Sequence, residues 1–324
     1  EASLARMPSN KRLQLTGHSF AGLTRGSVWR QGRWLGRLVS CCARQLSRHP
    51  LCGTKRAQAM PELGDQWAAG ANYEKFMGRW SRLLAPLFVS WLPVRAGAHW
   101  LDVGCGTGAL SEAICSRAKP ASVTACDPSE PFIRHARQQP VDPGVRFVVG
   151  GVGNLPGREG GFDSVSSALV LNFVPKPEAG LQEMRRTACR GGLVSACVWD
   201  YAGRMEFLRR FWDCASELDP SARNVDEGVR FPICGREALE KLFLSSGLGQ
   251  VVCEPLEITT RFSNFADFWT PFLGGTGPAP SYVASLSADQ RAALAMSLER
   301  ALPVEPDGAV SLVARAWAVR GVVD

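Results

Sequence analysis

Nowhere in the 324 residues is there a run of about 18 apolar residues, so no membrane-spanning helix is expected. Histidine is scarce. His18 and His49 fall among the first sixty residues, His99 precedes the first predicted strand, and His135 lies inside a predicted helix, so none is well placed as a general base. The eleven cysteines are scattered, with one adjacent pair (Cys41-Cys42) and no C-x-x-C. That spacing argues against a disulfide framework and against a zinc site, and it suits a reducing compartment. No acidic cluster points to any other metal. Repeats and low-complexity tracts are absent, as are the G-x-G-x-x-G dinucleotide fingerprint and a Tyr-x-x-x-Lys pair.

Acidic residues are nearly missing from one region. Residues 1–60 hold eleven of the 37 Lys and Arg residues but only Glu1 of the 30 acids. The net charge of +7 therefore describes a leader, because the rest of the chain is mildly acidic by three charges. Within the leader, Arg33 to Arg48 can form an amphipathic helix with Trp34, Leu35, Leu38, Val39, Cys42 and Leu46 on one side. Residues 1–59 read as an organellar transit peptide, a membrane-surface helix, a disordered extension, or translated sequence ahead of a start at Met60. The expected location is the cytoplasm, or the mitochondrial matrix or another organelle if the leader is a transit peptide. Residues 60–324 read as one domain, with the 45% apolar content needed for a full core.

The most informative stretch is Leu101-Asp-Val-Gly-Cys-Gly-Thr-Gly-Ala-Leu110. Trp100 to Val103 suits a buried strand, and Ala109 to Ala118 a helix with Leu110, Ala113 and Ile114 on one face. Gly104, Gly106 and Gly108 lie between them. Glycines let the backbone turn tightly and approach a ligand, and the free N–H groups of a helix start favour an anionic or strongly polar group. Such a loop suits the polar middle of a nucleotide-like cofactor.

The pattern Asp102-x-Gly104-Cys105-Gly106-x-Gly108 resembles motif I of the class I S-adenosylmethionine-dependent methyltransferases, in particular the small-molecule, type-11-like domains. The resemblance covers roughly residues 70–324. It implies S-adenosylmethionine as cofactor and a Rossmann-like, seven-stranded, mostly parallel α/β sheet of order 3-2-1-4-5-7-6 with helices on both faces. A second predicted strand, Ser122 to Cys126, ends at Asp127, 23 positions past Gly104. A carboxylate there can accept hydrogen bonds from both ribose hydroxyls, with Pro128 beside it. A third strand, Val145 to Val149, leads into Gly150-Gly151-Val-Gly-Asn154, where the family usually carries an Asp that reads the adenine amino group. Gly151 occupies that place, which leaves the backbone of Val152 and Gly153 to read the base.

The fourth strand, Phe162 to Val170, opens with the family's Phe-Asp-x-Val, passes Ala168 and runs into Leu171-Asn172-Phe173, beside the expected transfer centre. After a helix from Glu178 to Ala188 and a turn at Arg190-Gly-Gly192, strand five spans Leu193 to Trp199. Asp200 and Tyr201 follow at its carboxyl end and are weak candidates for handling a proton. Ahead of the first strand, Tyr73-x-x-Phe-Met-x-Arg79-Trp-Ser81 resembles the helical cover of small-molecule members. That likeness implies that Tyr73 and Arg79 touch cofactor or substrate, whereas from the residues alone Tyr73 caps the core and Arg79 is solvated. The helix is read with Phe76, Trp80, Leu83, Leu84 and Leu87 as its buried stripe and with Pro86 as an interruption or kink.

Helices are expected at Met205 to Leu218 and Arg236 to Ser246, and strands six and seven at Val251 to Thr260 and Val310 to Val319. Between the last two strands lies a lid of residues 261–308, where a simple member has a tight hairpin. Its Phe262, Phe265, Phe268, Trp269 and Phe272 suggest either an apolar acceptor or packing of the lid's own core. The Asn-Pro-Pro-Tyr and Pro-Cys signatures of base methylation are absent, so a nucleic-acid substrate is not expected. The expected activity is methyl transfer to O, C or N of a small apolar molecule. A non-catalytic S-adenosylmethionine-binding protein and a nucleotide-dependent oxidoreductase are the alternatives. The sequence is silent on oligomeric state.

Overall fold

A computed structural model describes residues 73–139, 142–157, 159–275 and 277–324. The leader and its amphipathic segment lie outside the described residues.

Seven strands form one sheet of order 3-2-1-4-5-7-6, as the resemblance implied. They are β1 (His99–Val103), β2 (Ser122–Asp127), β3 (Val145–Val149), β4 (Phe162–Ala168), β5 (Ala188–Trp199), β6 (Leu248–Phe262) and β7 (Val310–Val323). The β1–β2, β2–β3, β1–β4 and β4–β5 pairings are parallel, whereas β7 runs antiparallel to both β5 and β6. Trp100, Leu101, Asp102 and Val103 of β1 are all buried, as a central parallel strand covered on both faces requires. Right-handed crossovers put the helices after β1 and β2 on one face and the helix after β4 on the other. These helices are α2 (Ala109–Ala118), α3 (Glu130–Gln138) and α4 (Pro177–Thr187). Winding reverses between β1 and β4, and a crevice opens there beyond the strand ends.

The chain enters through a π turn, Glu74–Gly78, that continues directly into α1, Arg79–Trp91. Pro86 lies inside α1 without ending it. Phe76, Met77, Trp80, Ser81, Leu84, Ala85, Phe88 and Val89 are buried, whereas Leu83 and Leu87 are 50% and 43% exposed. The buried stripe thus lies one position away from the expected one at its second half. It follows Trp80-Leu84-Phe88 and their successors down one face.

Other departures sit at strand ends. β5 starts at Ala188 rather than Leu193, because a register irregularity between Phe162 and Ser164 of β4 lets Ala188 pair across the expected turn. β6 and β7 are longer than read from periodicity. Their register shifts between Gly249 and Val252, beside Gln250, which takes a positive φ of 50°. Such an irregularity breaks the two-residue alternation that marks a strand in sequence. Downstream of β5 come α5 (Glu206–Leu218), the short α6 (Glu227–Arg230) and α7 (Arg236–Ser245). The insertion between β6 and β7 carries α8 (Phe265–Trp269), α9 (Pro278–Ser285) and α10 (Ala288–Ala301), the last opened by a Ser287–Gln290 capping box.

Candidate cofactor and acceptor site

At the carboxyl ends of β1, β2, β4 and β5 lies a cavity of about 250 Å³. The loop after β1 contributes Gly104, Cys105, Gly106 and Thr107, and the end of β2 contributes Asp127, Pro128 and Ser129. The end of β4 contributes Ala168, Leu169 and Val170, and β5 brings Cys197 and Trp199, with Tyr201 just beyond. The roof is one face of the π turn and α1, through Tyr73, Met77, Ser81, Leu84 and Ala85.

The glycine loop is tied to β2 at several points. The N–H groups of Gly104 and Cys105 both donate to the Cys126 carbonyl, at 2.8 and 2.9 Å. Gly104 has a φ of +73°, and a Cβ there would meet the Val170 methyls at 2.6 Å, so glycine is required at this position. At Gly106 (φ +52°) a Cβ would enter open space on the cavity wall, and that room is available to a ligand. Leu169 closes the β4 side in a left-handed conformation, φ 63°, with its N–H held by the Cys197 carbonyl at 2.8 Å. A non-glycine residue held there is strained, and strain of this kind concentrates at functional sites.

Asp127 is nearly buried, and its two oxygens are divided. Oδ2 accepts the Gly106 N–H at 3.0 Å and Oδ1 accepts the Ser129 N–H at 2.8 Å. Burial raises its pKa, and the two N–H groups oppose the shift. The carboxylate keeps acceptor capacity on each oxygen beyond those bonds. Asp127 is not the cap of α3, because Ser129 takes that role and accepts the Phe132 N–H.

Asp102 lies below the loop rather than on the cavity wall. Its Oδ2 accepts from Ser111 Oγ at 2.6 Å, while Oδ1 has no partner within the protein. Burial pushes this carboxyl up to about 7, with Asp127 adding to the effect and Ser111 opposing it. Asp102 thus supports the loop from beneath, pinning β1 to the first turns of α2. Gly108 acts in the same indirect way, as the left-handed residue (φ 95°) that opens α2.

Several expected contacts fall elsewhere. Arg79 points away from the cavity into an ion pair with Asp267 (2.7 and 3.2 Å), donates to the Arg261 carbonyl at 3.0 Å, and stacks over Trp80 and Phe262. Asp200 is held by Arg315 at 2.5 and 2.8 Å and by the Arg204 N–H at 2.9 Å, and it is absent from the cavity wall. Its position at the end of β5 suggested proton transfer, but its partners make it a structural anchor. Val152, Gly153 and Asn172 also lie off the wall. Asn172 is buried with both amide atoms unpartnered. Tyr73, Cys105, Pro128, Ala168 and Tyr201 do lie on it.

None of the insertion's aromatics reaches the cavity. Phe262, Phe268 and Phe272 are buried among one another and against Phe76, Phe207 and Phe211, with Phe211 and Phe272 stacked at 4.6 Å. They pack into a core, as the second expectation had it, but one shared with the π turn and α5 rather than the lid's own. The acceptor side is apolar for a different reason, namely Met77, Leu84, Leu169, Val170, Phe173 and Trp199. Phe173 and Tyr201 are backed by Phe231 at 5.2 and 6.0 Å. The sequence signal for this wall was position at strand ends rather than aromatic content.

Residues 101–196 match the model of a methyltransferase domain. Over 139 residues the chain is 30% identical to an uncharacterised protein of Mycobacterium tuberculosis, covering 42% of this chain and 50% of that protein. Over 207 residues it is 24% identical to the demethylmenaquinone methyltransferase of Desulfitobacterium hafniense, covering 59% of this chain and 78% of that one. Among solved structures, a candidate methyltransferase of an antibiotic biosynthesis pathway from Anabaena variabilis is 18% identical, with 74% of this chain and 96% of that one covered and a TM-score of 0.52. That likeness concerns the fold alone. The chain spans about half the length of the mycobacterial relative.

Proposed function

We propose that this chain, whose residues 101–196 match a methyltransferase-domain model, is a class I S-adenosylmethionine-dependent enzyme that transfers a methyl group to an oxygen, carbon or nitrogen of a small apolar molecule. One observation carries the reading. The glycine loop and the Asp127 carboxylate line the same cavity, with the open side of Gly106 between them.

S-adenosylmethionine supplies an electrophilic methyl group on its sulfonium. The residues present fit that group. Asp127 has lone pairs left for the ribose hydroxyls, and the start of α2 offers backbone N–H groups for the carboxylate of the methionyl end. Met77, Leu84, Val170, Phe173 and Trp199 keep water from the acceptor side and hold an apolar molecule by its shape. Alignment of two bound reactants accounts for much of the rate in such a site. Tyr201, on the wall, is the remaining candidate for handling a proton, since Asp200 is consumed by Arg315. A small acceptor rather than a nucleic acid is supported by the roofed, apolar cavity.

We take residues 60–324 as one domain in which the insertion after β6 buttresses the roof. No helix among the described residues is long and apolar enough to cross a membrane. The cytoplasm remains the proposed location, on the scattered cysteine spacing of the sequence.

Calorimetric titration with S-adenosylmethionine and S-adenosylhomocysteine tests the reading. Binding is expected for both, and Asp127→Ala is expected to weaken it about 100-fold, the scale of a lost pair of charge-assisted hydrogen bonds. A folded protein that gives neither heat nor a melting shift with either compound would sink the proposal. Incubation of metabolite extracts with a labelled-methyl cofactor, read by mass spectrometry, then identifies the acceptor.

A further inference from the structure

The acceptor side of the cavity is bounded by Phe173, from the turn after β4, and by Tyr201, just beyond β5. Both rings rest on one residue that is not on the wall. Phe231 lies 5.2 Å from Phe173, with the two rings nearly perpendicular at 79°, and 6.0 Å from Tyr201 at 45°. Phe231 is itself half-buried, so it meets the wall rings on one side and solvent on the other. The roof helix, by contrast, is backed by Phe207, Phe262 and Phe272, all buried.

The segment that carries Phe231 is clamped in place. Asp226 Oδ2 accepts from Arg209 Nη2 of α5 at 2.6 Å, and its Oδ1 accepts the Gly228 N–H at 2.7 Å. Glu227 accepts the Trp212 indole N–H. Gly228 lies directly on the backbone that follows β5, since a Cβ there would come within 3.0 Å of the Ala202 Cα and 3.1 Å of the Tyr201 carbonyl oxygen. The Arg230 guanidinium sits 5.0 Å over the Phe231 ring. Asp226 and Glu227 are both buried, so an outward shift of the segment would strip buried acids of their partners, which is costly.

We infer that Phe231 is a specificity-determining residue that acts through Phe173 and Tyr201, and that it limits the length of the apolar acceptor the cavity admits. This rests on the reading of the cavity as the site of methyl transfer to such a molecule. A packed ring keeps its place while a neighbour fills the space behind it, and removing that neighbour leaves room that the surroundings fill only in part. With Phe231 cut back to alanine, Phe173 and Tyr201 gain space to swing outward, and the cavity extends toward α6. Phe231 touches the wall rings and not the cavity, so it is a positioning residue.

The test is calorimetric titration of the full chain, first with S-adenosylhomocysteine and then, once saturated, with 4-alkylphenols of increasing chain length. Each methylene that enters an apolar site strengthens binding about fourfold. In the wild type that gain is expected to stop at the length where the tail meets the Phe173 and Tyr201 rings. Phe231→Ala is expected to move the stop outward by about two carbons or more and to strengthen binding of the first excluded member about tenfold. Phe231→Leu should lie between, and it supplies the reading if the alanine variant fails to fold. Phe265→Ala removes a likewise half-buried ring from the insertion, stacked on Phe268 and Trp269 and off the wall, and should leave the stop where it is. A merely structural role would weaken every member together and move no stop. An unmoved stop in both Phe231 variants overturns the inference, as does an equal shift in Phe265→Ala. A wild type that binds S-adenosylhomocysteine but no alkylphenol overturns it too, and leaves the cofactor assignment intact. Failure of the first titration defeats the cofactor assignment itself.

Discussion

Two helical additions flank the sheet, and they do different work. The cover formed by the π turn and α1 lines the cavity with five of its residues, whereas the insertion between β6 and β7 lines none of it. Yet the insertion is the part rich in aromatics. Its rings are spent on burial against Phe76, Phe207 and Phe211, so aromatic abundance here reports a core and not a binding surface. The two additions meet through Phe76–Phe272 and through Arg79–Asp267. The insertion therefore acts on the site at second hand, by fixing the roof in place.

The sharpest break in this contrast is Phe272→Ala. It removes a ring that is 1% exposed and stacked on Phe211, and should cost about 3–5 kcal/mol of stability. Chemical denaturation reads that loss. Affinity for S-adenosylhomocysteine, measured below the new melting temperature, should fall only a few-fold, as for any loosening of the roof from behind.

One buried carboxyl lies under the insertion and another under the glycine loop, and pH distinguishes their contributions. Under the insertion, Glu227 accepts from the Trp212 indole N–H, and Trp212 packs on Tyr282 of α9. Burial pushes Glu227 up to about 7, as it does Asp102 under the glycine loop. The folded state then holds a proton that the unfolded chain releases near its ordinary acid pKa. Each group's stabilising contribution is complete below that lower value and is lost as pH rises through about 7. The loss per group is on the order of 3 kcal/mol. Glu227→Gln and Asp102→Asn should each flatten part of the fall in melting temperature between pH 4 and pH 8. Only Asp102→Asn should also alter the pH dependence of cofactor binding. A wild-type melting temperature that rises across this range would contradict both assignments.

Arg79→Ala tests the link between the two regions. The pair with Asp267 is about a third exposed on each side, so screening limits it to roughly 1 kcal/mol. Cofactor affinity should fall a few-fold, Asp267→Ala should do the same, and the double variant should be no worse than either single one. Additive effects would separate the insertion from the roof. The smallest change belongs to the exposed side of the cover. Leu83→Ser should alter stability by less than about 0.5 kcal/mol, because Leu83 faces solvent despite its place in the apolar periodicity.

The cofactor half of the site was legible from the chain because its signals are local. Strand, glycines and helix start are contiguous from Trp100 to Ala118, and Asp127 closes the next strand, so spacing alone brought Gly104, Gly106 and Asp127 together. The acceptor half was not legible. Met77, Ser81, Phe173 and Trp199 come from three segments far apart in sequence, and no periodicity within any of them marks which side chain faces the cavity. Arg79 and Asp200 illustrate the same limit, because a charged residue near a predicted site is as free to pair with a distant partner as with a ligand. Asp267 lies 188 residues from Arg79, and Arg315 lies 115 from Asp200.

By itself the chain determined the strands of the β1–β5 core, the position of the glycine turn and the acid that ends the next strand, because backbone sterics and apolar periodicity act over neighbouring residues; the parallel order of those strands was implied by the resemblance. Tertiary structure alone decided which side chains face the cavity. That choice depends on contacts between segments far apart in sequence, where burial and charge pairing compete for the same groups.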